Sequence, residues 1–213
     1  VLFTISGKRL PVVMNIGCRA LTSQGLNVHA GHDDICAVAD CGWGMIVGRN
    51  AQETGDLCLI CRRAAEASET PFFNVQDGFL TTHTVETARL PEPEFMREFV
   101  GNPNEKLKNL MDPANPIMSG VVQNQDSYMK GKIAQRWYYE RVEACLQESF
   151  EEFYRKTGRR YDFVQPYRCE DADFILVGND SLLKSNVYVR KRTQNIHFLA
   201  TFPALGGVPT NVI

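Results

Sequence analysis

The sequence predicts an α/β fold: a partial parallel sheet, incomplete at both ends, joined to one long connecting helix. Three observations predict it. Two short apolar runs, P-V-V-M-N-I at 11–16 and P-F-F-N-V-Q at 71–76, each open on a proline and suit strands buried on both faces of a parallel sheet. Between them, residues 51–67 carry apolar side chains at helical spacing, which gives the strand, helix, strand order of a right-handed crossover. Farther on, Asp126 to Thr157 contains no proline and keeps a helical apolar pattern throughout.

The elements follow in order. Pro11 and Gly17 bound the first strand, and a loop with a short helix is expected after it. Asn50 with Glu53 three residues later resembles a capping box, and Leu57, Ile60, Ala64 and Ala65 mark the buried face of the helix until Ser68. The second strand ends at the Asp77-Gly78 turn signal. From Leu90 to Pro116 the text turns to proline, asparagine and charge, which predicts short helices on a surface excursion. Tyr128, Ile133, Trp137, Val142, Leu146, Phe150 and Phe153 then predict one long helix, bent at Gly131 and stopped before Gly158. Phe163–Pro166 and Phe174–Gly178 read as two strands opening another α/β unit, but no crossover helix follows them.

The expected organisation is an α/β domain over 1–89, a helical connecting region over 90–160, the start of a second α/β domain over 161–180, and a tail over 181–213. The tail contains Lys184, Arg190, Lys191 and Arg192 and no acidic residue; subtracting those four charges from the total of −2 leaves −6 for residues 1–180. A reading-frame shift or a fusion junction is the expected origin of so abrupt a change.

Composition narrows the function. With 44% hydrophobic and 23% charged residues the chain is a soluble type, and a net charge of −2 gives no broad basic surface for a phosphate backbone. No apolar run approaches the roughly 20 residues a membrane-spanning helix needs. Neither nucleic acid nor membrane is expected as a partner. The chain opens on Val1 with no targeting pattern, so it is expected to begin inside a longer protein. Seven scattered cysteines, an odd number, argue for a reducing cytoplasm rather than a disulfide framework. Cys58 and Cys61 alone have metal-like spacing; with no second pair to complete four ligands they read as buried structural thiols, and no metal is expected on this chain.

Three segments could carry chemistry. C-R-A-L-T-S-Q-G-L lies just past the first strand, at the carboxyl edge where ligands of parallel sheets bind, and Arg19 there could hold a carboxylate through two parallel hydrogen bonds. By position alone, a plain surface or helix-start arginine is the simpler reading. N-V-H-A-G-H-D-D gathers His29, His32, Asp33 and Asp34, enough for a metal site or a general base; a polar loop in which Asp33 or Asp34 caps the next helix is the plainer alternative. Q-D-G-F-L-T-T-H follows the second strand and offers Asp77, Thr81, Thr82 and His83 beside Phe79. A tight turn built on Asp77 and Gly78 explains it equally well. No phosphate-binding lysine loop, nucleophile elbow, dinucleotide fingerprint or zinc-binding helix motif is present.

Taken together, I-S-G-K-R-L-P-V-V, C-R-A-L, A-G-H-D-D-I, F-F-N-V-Q-D-G-F-L-T-T-H, G-V-V-Q-N-Q-D-S-Y and W-Y-Y resemble the pyruvate:ferredoxin (flavodoxin) oxidoreductases, in that family's order and spacing, over about 178 residues. The resemblance implies an internal piece of such an enzyme: part of a thiamine-diphosphate-binding-type domain, on its aminopyrimidine side, and the start of the next. It also implies the reaction, in which pyruvate and coenzyme A give acetyl-CoA and carbon dioxide while electrons leave to ferredoxin or flavodoxin. Thiamine diphosphate, Mg2+ and 4Fe-4S clusters would serve the full-length enzyme, a homodimer, and none would be bound by this chain alone. Arg19 matches the family arginine that binds the pyruvate carboxylate. His32 and Asp34 fall in the family's G-D-H-Q-D segment, here G-H-D-D, and Asp77, Thr81 and His83 fall in a site or interface loop.

The departures are specific. Leu80 stands where the family commonly has arginine, and Thr84 where it has glutamate. The family's substrate-side threonine and aminopyrimidine-activating glutamate correspond to nothing in this chain, nor does its diphosphate and magnesium site, and beyond Gly178 the likeness stops. Such a piece is expected to be inactive by itself. Two other functions fit the same residues: a non-catalytic interaction module or split subunit, and an oxidoreductase for another 2-oxoacid, since every such substrate carries the carboxylate that Arg19 would bind.

Overall fold

The computed structural model describes residues 1–28, 31–108, 111–167, 174–178 and 196–200. Val13–Cys18 (β1), Gly44–Gly48 (β2) and Phe72–Asp77 (β3) form a parallel sheet in the order β1-β3-β2, with Val13 and Gly44 each opposite Phe72. The predicted α/β class is therefore the one that forms. The first predicted strand sits two residues later than expected, and β2 was not expected at all. Its sequence, G-M-I-V-G, is only five residues long and is framed by glycines, which read as loop. The glycine is forced: a Cβ on Gly44 would stand 2.3 Å from the Phe72 ring.

Alternating side chains of these strands feed two cores, as a pleat with period two requires. On one face Met45, Val47, Phe73 and Val75 gather with Cys18, Ile35 and Trp43. Trp43 stacks on Phe73 with centroids 4.3 Å apart, and its Nε1 donates to the Leu2 carbonyl at 3.0 Å. That carbonyl belongs to Leu2–Gly7 (α1), a short helix the apolar pattern did not announce. The short helix expected after β1 is Asp33–Cys36 (α2).

On the other face Ile46 and Phe72 meet Ala51–Ser68 (α3), the predicted crossover helix, within one residue of its expected end. Asn50 Oδ1 accepts the Glu53 N–H at 2.9 Å, but the return arm differs from a capping box: the Glu53 carboxylate accepts the N–H of Arg49, one residue earlier, at 2.9 Å and also takes the Arg49 guanidinium. Asn74 of β3 is buried against α3, where its Nδ2 donates to the Thr54 carbonyl at 2.9 Å and to Asn15 Oδ1 at 2.7 Å.

The surface excursion carries Pro93–Val100 (α4) and Pro103–Lys106 (α5), as expected. The long helix divides into Gln125–Ala134 (α6) and Arg136–Thr157 (α7). The break falls at Gln135 rather than Gly131. There the Gln135 N–H turns to the Lys132 carbonyl and Tyr138 N–H to the Gln135 carbonyl, a tightened turn that needs no glycine. Leu146, Phe150 and Phe153 of α7 and Phe99 of α4 complete the core over α3, with Phe99 and Phe153 edge to face at 5.2 Å. Gly158 ends α7 at φ +72°, the left-handed cap that only glycine adopts at no cost. Cys61 is fully buried in this core, so its side chain serves packing.

A second sheet joins Gln165–Tyr167 (β4), Phe174–Gly178 (β5) and Ile196–Ala200 (β6) in the order β4-β6-β5, β6 running antiparallel to β4 and parallel to β5. β5 has the predicted bounds, while β4 begins two residues after its expected start. Apart from β6, the expected tail at 181–213 lies outside the described residues, as do His29 and Cys169.

Candidate functional site

Where β1 and β3 end side by side, Cys18 stands opposite Asp77, and both chains must turn away from the sheet. The Gly78 N–H donates to the Cys18 carbonyl at 2.9 Å, closing the two strand ends together. A side chain at Gly78 would force the backbone to move: its Cβ would lie 2.0 Å from the Cys18 oxygen and 2.9 Å from Arg19 Cγ. The arginine stem thus lies directly beside the Gly78 backbone, and the arginine as a whole is exposed.

Asp77 is buried, and its Oδ1 accepts the N–H groups of Phe79 at 2.7 Å and Leu80 at 2.5 Å. This is an Asx turn, the local reason for the sequence D-G-F-L at this strand end. The turn carries Thr81, Thr82 and His83 back over β1. Thr82 places its methyl 3.3 Å from where a Gly17 Cβ would be. His83 stacks on Phe79 with centroids 5.3 Å apart, and its Nδ1 lies 2.8 Å from Thr82 Oγ1. Thr81 is buried, and its hydroxyl has no hydrogen-bond partner among the described residues.

A third segment closes in from α2. Asp34 Oδ2 accepts the Arg19 N–H at 3.0 Å, and Asp33 Oδ2 accepts the Leu21 N–H at 3.3 Å. Neither carboxylate stands at the N-cap of α2, though Asp34 Oδ1 accepts the first-turn N–H of Ile35 at 2.7 Å. His32 occupies the N-cap position, half-buried and with no side-chain bond to the helix backbone. The helix is only four residues long; Asp33 serves the neighbouring loop, and Asp34 joins that loop to the helix's first turn. Arg19, Asp34, Asp77, Thr81 and His83 therefore belong to three segments that meet at one edge of the sheet. His29 lies outside the described residues, and no group of three or more His, Cys, Asp or Glu side chains able to hold a metal ion occurs among them.

Two polar arrangements near the sheet escaped the sequence reading. Asn74 and Asn15 pair across β1 and β3, leaving Asn74 Oδ1 buried without a partner; an asparagine in each of two apolar strands was the available signal. Beyond the Asp77 turn, the chain straps itself to the start of α3: Glu86 Oε2 accepts the Ala51 N–H at 2.9 Å, and Gln52 exchanges two hydrogen bonds with the Arg89 backbone. A carboxylate at a helix N-terminus is favourable, but nothing local in T-V-E-T-A-R names its target. Elsewhere a cleft of about 620 Å³ opens between α1, residues 118–123 and α6, and none of the expected site residues lines it.

The family described as pyruvate flavodoxin/ferredoxin oxidoreductase, thiamine diphosphate-binding, matches residues 1–151. Pyruvate synthase subunit PorA of Pyrococcus furiosus is 37% identical over 184 residues, 85% of this chain and 46% of that one. The PorA subunit of Methanocaldococcus jannaschii is 34% identical over 206 residues, 93% of this chain and 52% of its own. The pyruvate-flavodoxin oxidoreductase of Klebsiella pneumoniae, a longer protein, is 27% identical over 183 residues, 16% of its length. In fold, the 2-oxoglutarate:ferredoxin oxidoreductase of Magnetococcus marinus superposes with a TM-score of 0.54 at 11% identity, covering 93% of this chain and 38% of that one. The chain spans about half the length of its PorA relatives.

Proposed function

Because the chain belongs to the pyruvate flavodoxin/ferredoxin oxidoreductase family, matched over that family's thiamine-diphosphate-binding part, we propose that it supplies the substrate-carboxylate-binding segment of a pyruvate:ferredoxin oxidoreductase. The enzyme carrying it converts pyruvate and coenzyme A to acetyl-CoA and carbon dioxide and passes two electrons to ferredoxin or flavodoxin. One observation carries the reading. Arg19 stands at the carboxyl edge of a parallel sheet, with its backbone tied down and its guanidinium in no hydrogen bond or ion pair among the described residues. Such a group is available for a carboxylate, and the planar fork suits two parallel bonds to it. Holding the carboxylate fixes the direction in which the 2-oxo carbon faces its attacker.

Arg19 is exposed, so the wall that encloses a bound substrate is assigned to parts of the enzyme beyond the described residues. The fit to thiamine diphosphate is partial in the same way. The sheet's carboxyl edge and the buried, unpartnered Thr81 hydroxyl suit a polar ligand there, while the Mg2+ and diphosphate ligands and the 4Fe-4S clusters are assigned outside this segment. When bound, thiamine diphosphate supplies the carbanion that adds to the 2-oxo carbon and the sink for the charge left by decarboxylation. In this reading Arg19 binds and orients the substrate, Asp77 and Gly78 shape the edge, and His83 with Phe79 forms a surface for an adjoining part. The full enzyme is read as a homodimer of the reducing cytoplasm, where six thiols with no disulfide partner among the described residues are stable.

The test is kinetic and uses the full-length enzyme. Arg19→Ala lowers kcat/KM for pyruvate chiefly through KM, and Arg19→Lys recovers part of it because one charge remains but the paired bonds do not. Unchanged kcat/KM in both variants removes Arg19 from the site.

A further inference from the structure

We infer that Asp34 is a positioning residue for Arg19, fixing the arginine's backbone and through it the place of the guanidinium, without touching substrate itself. The inference rests on the reading of Arg19 as the carboxylate grip. Arg19 is the first residue past β1, where the strand's ladder ends and the backbone must find other partners. Asp34 provides one. Its Oδ2 accepts the Arg19 N–H at 3.0 Å while its Oδ1 accepts the Ile35 N–H at 2.7 Å, so one carboxylate bridges the loop and the helix.

The neighbours reinforce the bridge. Asp33 Oδ2 holds the Leu21 N–H at 3.3 Å, two residues along the same loop. Between these bonds Gly31 approaches Ala20 so closely that a Cβ would stand 3.1 Å from the Ala20 Cα. From the other side, Gly78 binds the Cys18 carbonyl and leaves room for Arg19 Cγ. Two carboxylates and two glycines therefore fix a three-residue segment whose long side chain stays exposed. The brace is itself anchored, because Ile35, next to Asp34, is buried in the same core as Cys18, next to Arg19. A displacement of about 1 Å in such a binding group costs up to roughly a hundredfold in rate, so the brace bears on substrate capture.

The experiment measures KM and kcat for pyruvate in the full-length enzyme with Asp34→Ala, Asp34→Asn, Arg19→Ala and the double variant Asp34→Ala/Arg19→Ala. Asp34→Ala raises KM about tenfold and changes kcat less than about twofold. Asp34→Asn keeps an acceptor oxygen and recovers most of the loss. The double variant has the KM of Arg19→Ala alone, since Asp34 acts only through the arginine. Hydrogen exchange supplies a readout without turnover: the Arg19 amide loses protection in Asp34→Ala and keeps it in Asp34→Asn. Should Asp34→Ala not fold, Asp34→Ser, too short to reach the amide, carries the same expectation. A raised KM in Arg19→Ala with a normal one in Asp34→Ala overturns the brace alone, as does an Asp34→Ala penalty that persists in full without Arg19. A normal KM in Arg19→Ala overturns the grip reading and the brace with it.

Discussion

Arg159 closes on Asp56 from 103 residues away, Nε to Oδ2 at 2.6 Å and Nη2 to Oδ1 at 3.0 Å. The carboxylate is fully buried in α3 and also accepts the Tyr161 hydroxyl at 2.7 Å and Gln52 Nε2 at 3.1 Å. Four hydrogen bonds compensate its desolvation, and the chain beyond α7 is clasped to the crossover helix through them. Removing the carboxylate strands a cation, a phenol and an amide together, whereas an exposed pair would count for little. Asp56→Ala is expected to cost about 3 kcal/mol of folding stability. Denaturant unfolding of the 213-residue chain checks this; a loss under about 1 kcal/mol rules out the clasp.

The same cluster gives a pH dependence. Burial first, and then the hydrogen bond to the Asp56 carboxylate, push the Tyr161 phenol well above its ordinary value. A folded-state pKa raised above the unfolded one stabilises fully below the unfolded value, about 10 for tyrosine, and that contribution is lost as pH rises further. Stability should therefore fall from about pH 10 upward, and fall less steeply in Tyr161→Phe. In a spectrophotometric titration, one phenol of the native chain should stay protonated after the exposed tyrosines have ionised. Ionisation of every tyrosine together while the chain is folded contradicts it.

Legibility followed the range of each interaction. Asn50 and Glu53 announced the start of α3 because a cap is local, and Leu57, Ile60 and Ala64 announced its face because helical spacing is local. β1 and β3 were legible from apolar runs opened by proline. β2 was not, since its first glycine, Gly44, answers to Phe72, a residue far along the chain whose ring leaves no room for a side chain, and its last, Gly48, to Thr54 of α3. The break at Gln135 was misplaced because a glycine invites a bend without requiring one. At the proposed site, the place of Arg19 just past a strand was legible, but by position alone it read as a plain surface arginine, and only the family likeness offered it a role. The use of Asp34 was not: its partner is the Arg19 N–H, 15 residues back, and sequence cannot aim a carboxylate at a backbone amide across a fold. Asp56 and Arg159 were hidden for the same reason.

Thiol chemistry separates the cysteines. Burial pushes the Cys61 thiol well above its ordinary value, and the side chain has no exposed surface, while Cys36 on α2 is exposed. Because the thiolate is the nucleophile, an alkylating reagent at pH 8 should modify Cys36 first and Cys61 only after denaturation. Peptide mass spectrometry reads the order. Equal rates at the two positions in the native chain refute the buried, structural assignment of Cys61.

Gly78 tests whether the site edge is set by close approach. Its Cβ would overlap the Cys18 carbonyl oxygen at 2.0 Å and crowd Arg19 Cγ at 2.9 Å. The first contact is with backbone and cannot be relieved by a rotamer change, so Gly78→Ala must part β1 from β3 at their ends or displace the Asp77 turn. Overpacking of this kind costs about 1–3 kcal/mol. Because the displaced atoms include the arginine stem, the proposed carboxylate grip predicts that Gly78→Ala in the full-length enzyme raises the pyruvate KM beyond what the stability loss explains. Gly25→Ala, where a Cβ would meet nothing within 4 Å, should do neither and serves as the control. Denaturation midpoints and steady-state kinetics on the two variants decide it: a Gly78→Ala enzyme with normal stability and normal KM shows that the two strand ends part without consequence, and the edge would then lose its claim to hold Arg19 in place.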